Sequence, residues 1–373
     1  MNEKSLMYKI GLSLIPGAGP VIAKRLLAYT GSPEAVFKEK NTTLSRIPNI
    51  GKSFISRFNP QKVLEQARDE LEFIKKYNIE AKFFTDKSYP QRLKNCEDAP
   101  VILYAKGNNQ LKSTKVLSIV GTRKPSEYGL SVCKELIKDL SKTHKDLIIV
   151  SGLAYGIDTC AHQASLKNGL KTIAVLGHGL ANIYPAIHKK MAEKIVKNGA
   201  LLTEFKSTTK AVRGNFISRN RIIAGIADAT LVVESAEKGG ALITADIANS
   251  YHRDVFAIPG RSIDDTSKGC NNLIKTNKAA LIENAEDLQY VLGWEVNKQK
   301  QKAIQKQLFS ELDEFDKLVF QTVQQKEKIS IDEICTKMSK PTSKISPVLL
   351  GLEFKGLIKC LPGSFYTAKL CQQ

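Results

Sequence analysis

A chain of 373 residues with 42% hydrophobic side chains can bury more than one core, which excludes a disordered or fibrous polypeptide and allows two or three domains. The 56 Lys and Arg against 37 Asp and Glu leave a net charge of +19, a field that favours a polyanionic partner, although a lysine-rich solubilising surface gives the same sum. The 7 cysteines are scattered and never spaced C-x-x-C, which argues against a disulfide framework or a zinc site, and no apolar run is long enough to span a bilayer.

Met1 to Lys4 leads into no apolar signal segment, the pattern of a cytoplasmic protein. Two similar signatures follow: Ile15-Pro16-Gly17-Ala18-Gly19 before Val21 to Leu27, and Ile47-Pro48-Asn49-Ile50-Gly51 before Phe54 to Phe58. Each predicts helix, tight turn, helix. A Gly-x-Gly turn opening a helix exposes amides that can take a phosphate; in the second copy Asn49 replaces the first glycine, and a structural turn is the better reading there. A small helical domain for protein contacts fits the segment equally well. With a further helix over Val63 to Tyr77, residues 1–80 form an expected N-terminal domain of helix-hairpin-helix or SAM type.

Residues 81–296 predict a second domain. Short extended pieces punctuated by Pro90 and Pro100 lead into apolar strands at Val116 to Val120, Leu147 to Val150, Thr172 to Leu176, Ala200 to Thr203, Thr230 to Val233 and Val255 to Ile258. Amphipathic helices alternate with them, as at Val132, Cys133, Leu136, Ile137 and Leu140. This is the pattern of an α/β, Rossmann-like, doubly wound parallel sheet. The Lys/Gln-rich stretch 297–309 reads as a linker, and residues 310–373 as three helices and a terminal hairpin, a winged helix. Near the face of its third helix stand only Lys344 and Lys355, so protein contact competes with duplex binding as its role.

In such a sheet ligands sit beyond the carboxyl ends of the strands. There the sequence places Gly121-Thr122-Arg123, then Ser151-Gly152 through Gly156 to Asp158, then Gly177-His178-Gly179. Glycine admits an anion close to the backbone, the next helix points amides at it, and Arg123 adds a forked cation. Ahead of the strand at Thr230 runs Phe216-Ile217-Ser218-Arg219-Asn220-Arg221. Placed at a helix start, the two arginines would meet the positive end of the dipole, a poor location without a bound anion; an ion pair to Glu204 or Glu234 is the structural alternative. Phe216 could stack on a base or fill core. Because strand-end loops contribute little core, removing Arg123 or Arg219 is expected to weaken binding and spare the fold.

These residues, with Ala161-His162, Tyr184-Pro185, Gly240 to Ala245, Val255 to Gly260 and Gly269-Cys270-Asn271, together resemble the DNA-processing protein A family, DprA or Smf. The resemblance spans the whole Rossmann-like segment in order. It implies a homodimer that binds and protects single-stranded DNA in a basic pocket and helps load the recombinase RecA during natural transformation. Carried over by position, the pocket would comprise Gly121, Thr122, Arg123, Ser151, Gly152, Gly156, Arg213, Phe216, Arg219, Asn220, Arg221, Lys238, Gly240 and Asn271. Departures are Tyr155 where the family often has a basic residue, His188 where Asn is usual, Gly239 where Ser commonly precedes Gly240, and Asn277-Lys278 where Gly-Ala is frequent. The first puts one contact in doubt, unless the tyrosine stacks on a base.

The rival reading is a phosphoribohydrolase of the lysine-decarboxylase-like type, cleaving nucleoside monophosphates. That chemistry needs a carboxylate beside a Gly-Gly loop, and after Gly239-Gly240 only Asp246 is available. Asp158 and His162 stand at i, i+4, and the simpler reading is that Asp158 caps the helix carrying His162. Gly121-Thr122-Arg123 is not a dinucleotide fingerprint, Ser151 lacks a nucleophile-elbow context, and the 5 histidines form no metal pattern. The expectation is a binding protein with no cofactor or metal. A transcription factor working through the winged helix would need a strongly basic C-terminal domain, which this sequence lacks.

Overall fold

The computed structural model describes residues 3–108, 115–294, 313–326, 328–355, 357–361 and 363–368. Contacts divide the chain into two units, Met1–Trp294 and Glu295–Gln373. The expected linker, 297–309, lies outside the described residues.

In the first unit, α1 (Glu3–Leu14) and α2 (Pro20–Thr30) flank the first turn, and α3 (Pro33–Lys38), α4 (Asn41–Leu44) and α5 (Lys52–Arg57) surround the second. Gly17 has φ +80° and Asn49 has φ +66°, so both turns use the left-handed region, which asparagine tolerates better than other side chains. Helix α6 (Pro60–Lys76) starts where the Asn59 side chain accepts from the Lys62 amide. These helices bury Leu12, Leu26, Phe54 and Phe58 together with Phe83 and Val101 of the following segment, so their core runs into the edge of the sheet.

The sheet alternates with helices in chain order: β1 (Glu80–Phe83), α7 (Gln91–Lys94), β2 (Ile102–Gly107), β3 (Val116–Val120), α8 (Glu127–Thr143), β4 (Ile148–Ser151), α9 (Ile157–Lys167), β5 (Lys171–Val175), α10 (Lys189–Asn198), β6 (Ala200–Thr203), α11 (Arg213–Ile226), β7 (Ala229–Val232), α12 (Gly240–Ser250), β8 (Asp254–Ala257), α13 (Lys268–Lys275), β9 (Ala280–Leu281) and α14 (Ala285–Val291). Its strand order is β1-β2-β6-β5-β4-β3-β7-β8-β9, parallel from β6 to β9, with β1 and β2 adding an antiparallel edge. All five residues of β3 are buried, because helices cover both faces. Val120, Val150 and Val175 pack under Ile222 and Ala245 on one side; Ile119, Ile149 and Leu231 meet Leu136 and Ala161 on the other. Cutting one such side chain to alanine costs about 2–5 kcal/mol. β3 lies between β4 and β7, so the chain leaves this point in opposite directions and opens a crevice at the carboxyl ends.

The second unit holds α15 (Glu314–Gln324), β10 (Ile329–Ser330), α16 (Ile331–Met338), α17 (Thr342–Phe354), β11 (Ile358–Leu361) and β12 (Phe365–Ala368). Its sheet order is β10-β12-β11, over a core of Val319, Phe320, Ile334, Leu349 and Ile358. This is the winged-helix order of elements. No helix among the described residues is long and apolar enough to cross a membrane.

Candidate nucleic-acid interface

A cleft of about 1040 Å³ opens at the β3/β7 switch point. Gly121, Thr122 and Arg123 form one wall; Arg213, Phe216, Arg219 and Asn220 of α11 form another; Lys238 and Gly240, at the start of α12, close it. The loop after β3 is pinned from both sides. The Thr122 amide donates to the Glu234 carbonyl at 2.7 Å, the Ser126 amide to the Glu234 carboxylate at 2.9 Å, and the Ile157 amide to the Thr122 carbonyl at 3.2 Å. Gly156 has φ +81°, and a Cβ there would sit on the Thr122 carbonyl oxygen, so only glycine lets the β4 loop press against the β3 loop.

Helix α11 assigns its side chains by period. Arg213, Phe216 and Asn220 recur at i, i+3 and i+7 and share the cleft face with Arg219, whereas Arg221 lies two residues on, about 200° around the helix. Both arginines are therefore in mid-helix, not at its start, and the expected clash with the dipole does not arise there. The helix begins at Arg213 after an uncapped Val212, which offers no sequence signal of a start.

Arg219 is 4% exposed. Its Nη1 donates to the carbonyls of Gly152 at 2.6 Å and Val175 at 2.5 Å, and its Nε to Asn220 Oδ1 at 3.1 Å. A Cβ on Gly152 would overlap the guanidinium. Burial acts to lower the Arg219 guanidinium, with the Asp158 carboxylate opposing it; arginine stays protonated in proteins, so a cation is held under the cleft floor. Burial likewise pushes the Asp158 carboxyl up, against the pull of Arg219 and the amides of Gly152 and Ala154. Those amides donate to Asp158 Oδ2 at 3.1 and 3.3 Å. Asp158 thus holds the β4 loop in place of capping α9, whose N-cap is Gly156. His162 is buried below it, its Nδ1 2.7 Å from the Thr172 hydroxyl.

Other candidate residues fall outside the cleft. Arg221 forms an ion pair with Glu204, the structural alternative considered above, and burial pushes the Glu204 carboxyl up while Arg221 opposes it. Asn271 takes both backbone groups of Gly260, accepting from its amide at 3.1 Å and donating to its carbonyl at 2.9 Å. Ser151 is buried and donates to the Ile119 carbonyl at 2.6 Å. Gly152 and Gly156 support the wall without lining it.

What faces the cleft is basic and aromatic. Arg123, Arg213 and Lys238 are exposed and have no carboxylate partner among the described residues. Phe216 is half-buried, with the guanidiniums of Arg123 and Arg219 each 5.9 Å from its ring. Tyr184 stands 5.7 Å from it and is 52% exposed. His178 Nε2 accepts from the Tyr184 amide at 3.2 Å, which is how the glycine-flanked loop after β5 seats this ring. Tyr184 was legible only as part of a family motif; its place beyond the carboxyl end of β5 is the signal that marks it. Ser235 and Ala236, beyond β7, also line the cleft by that rule. Of the wall carboxylates, Asp158 is engaged as described and Asp246 pairs with Lys278 at 2.9 Å. Among the described residues no three His, Cys, Asp or Glu side chains could hold a metal ion.

Residues 80–293 match the family model of DNA recombination-mediator protein A, and residues 311–364 the DprA winged helix domain. The chain belongs to the DNA recombination-mediator protein A family. Protein Smf of Synechocystis is 35% identical over 79% of this chain and 74% of its own length. The DNA processing protein DprA of Streptococcus pneumoniae is 41% identical over 54% of this chain and 71% of its own. Among solved structures, DprA from Streptococcus pneumoniae superposes with a TM-score of 0.64 at 33% identity, covering 76% of this chain and 97% of that one. DNA processing protein A from Helicobacter pylori, whose structure is described for its single-stranded DNA binding mode, has a TM-score of 0.52 at 27% identity, covering 58% and 96%. The cleft of this family member therefore lies in the matched domain.

Proposed function

We propose that this protein binds single-stranded DNA in the switch-point cleft and performs no chemistry on it. The observation that carries the reading is the trio Arg123, Arg213 and Lys238, unneutralised around the half-buried ring of Phe216. Cations without carboxylate partners attract phosphates, and an aromatic face stacks on any base, so the pair of features selects an unpaired strand without selecting its sequence. A duplex keeps its bases stacked on each other and offers Phe216 nothing. Occupied carboxylates support binding over hydrolysis: Asp158 serves loop amides and Asp246 serves Lys278. Pairing into a homodimer and handing the strand to a RecA-type recombinase are proposed on family resemblance.

The test is anisotropy of a labelled oligothymidylate and its duplex at two salt concentrations, with Arg123→Ala alongside. Three phosphate contacts give a slope of about −2 in log K against log salt, or about 20-fold weaker binding between roughly 50 and 200 mM. Arg123→Ala should weaken the single strand and reduce that slope by about 0.7. Equal affinity for duplex and single strand, or release of free base from nucleoside monophosphates, would overturn the reading.

A further inference from the structure

Beyond the cleft, on the side of Tyr184, a second feature has no role in the site described. Residues 186–188 form a short turn that leads from Tyr184-Pro185 into α10, whose sequence carries Lys189, Lys190, Lys194 and Lys197 against one acid, Glu193. All four lysines are exposed and none has an ion-pair partner among the described residues. Lys190, Lys194 and Lys197 stand at i, i+4 and i+7 and so share one face, spaced about 6 and 4.5 Å along the axis. Two lysines occupy the first turn, with no acid there and no side-chain cap. Cations at that end oppose the helix dipole, so the arrangement costs stability unless an anion offsets it. Two pairs of rings lie between the cleft and this face, each with one exposed member: Tyr184 beside the half-buried Phe216, and Tyr155, 47% exposed, edge-on at 5.0 Å to the buried His188 immediately before the helix. Ile187 between them is 76% exposed.

We propose that α10 is a second phosphate-binding track, over which a single strand leaving the cleft past Tyr184 continues along Lys190, Lys194 and Lys197. The inference rests on the single-strand reading of the cleft and adds a length requirement to it. Tyr155, next to the cleft residue Ala154, supplies a stacking surface at the junction between cleft and track.

The experiment compares Lys190→Gln/Lys194→Gln/Lys197→Gln with the parent protein on a short oligothymidylate that fills only the cleft and on one several times longer. All three positions are exposed on one helical face, and a thermal melt checks that the fold is kept. On the long strand the variant should bind roughly 10-fold more weakly at low salt, and its salt slope should be about 2 smaller, from three lost phosphate contacts. On the short strand the two proteins should agree. Identical behaviour on the long strand removes the track and leaves the cleft reading standing. Equal losses on both strands also overturn it, since the lysines then act only as a general field. A parent protein that binds neither strand refutes the cleft reading itself.

Discussion

Replacing Arg219 with alanine separates a structural cation from a binding one. The sequence pairs Arg219 with Arg123 as ligand contacts, both dispensable for folding; the structure buries Arg219 at the cleft wall with three hydrogen bonds, which argues for a part in the fold. The substitution removes two hydrogen bonds to strand-end carbonyls and one to Asn220, each worth about 1.5–3 kcal/mol when the donor is charged. It also removes the positive charge whose field opposes the effect of burial on the Asp158 carboxyl, a loss that carboxyl can partly recover by taking up a proton. These are not independent, and water from the cleft can reach the freed carbonyls, so the net loss should be about 4 kcal/mol. For a unit this large that lowers the melting temperature by roughly 8–16 °C, whereas Arg123→Ala, at the surface, should stay within about 0.5 kcal/mol of the parent. Urea and thermal unfolding measure both. Adding Asp158→Asn should recover about 1–3 kcal/mol relative to the sum of the single losses, because the stranded charge is gone. An Arg219→Ala protein that melts with the parent and has lost only DNA affinity would refute this account and return Arg219 to the ligand.

Three further outcomes follow from the packing. Gly156→Ala should cost about 3 kcal/mol and disorder the β3 loop, read as lost stability together with weakened oligothymidylate binding; retention of both would show that the two loops are not in forced contact. His162 is held neutral chiefly by burial, then by Arg219 and His188, with its pKa lowered to about 3 from 6.5. Between those values the unfolded chain takes up a proton that the fold refuses, so stability falls as pH drops, by about 1.4 kcal/mol per unit well inside the window. In urea titrations across that range His162→Gln should be flatter by that amount, and an unchanged slope excludes His162 as the cause. Glu70 of α6 accepts from the Ser207 amide at 2.9 and 3.0 Å and from its hydroxyl at 2.6 Å, clamping the loop that leads to Arg213. Burial pushes its carboxyl up, with the Ser207 bonds opposing, so its contribution is present below the ordinary value of 4.5 and is lost as pH rises through the folded one. Glu70→Gln should remove that component and speed amide exchange at Ser207; unchanged exchange would mean the clamp does not hold the loop.

The six central strands were legible because a parallel strand buried on both faces reads as an unbroken apolar run, and each observed strand begins and ends within a residue or so of its expected limits. The antiparallel edge reads only as extended pieces leading into the sheet: β1 has 4 residues, a stretch carrying Pro90 and Pro100 separates it from β2, and the pairing joins residues 19 to 25 apart. Position after a strand end leads to Gly121, Thr122 and Arg123, which line the cleft, while the burial of Arg219 was hidden. Helix α11 starts without a capping side chain, so no residue type marks where it begins. Had that start been known, the period of 3.6 alone would have set Arg219 and Arg221 on different faces. Asn271 stands outside the cleft for another reason: it bonds a backbone segment ten or so residues upstream, a contact that neither period nor strand-end position encodes.

The buried arginine also answers an electrostatic difficulty of the location. The carboxyl ends of parallel strands gather carbonyl oxygens, here those of Gly152 and Val175, and a rim of carbonyl dipoles repels phosphate. One guanidinium lying across two strand ends occupies those oxygens and brings a positive charge beneath the floor, while Asp158, whose field acts on it, is engaged by the loop amides of Gly152 and Ala154. Arg123, Arg213 and Lys238 then face a rim that no longer opposes them, and their attraction for a polyanion is not spent on cancelling the backbone. On this argument cleft affinity depends on Arg219 without contact: Arg219→Lys, which keeps the charge but cannot span both carbonyls, should bind DNA less well than Arg219 even where the protein is fully folded.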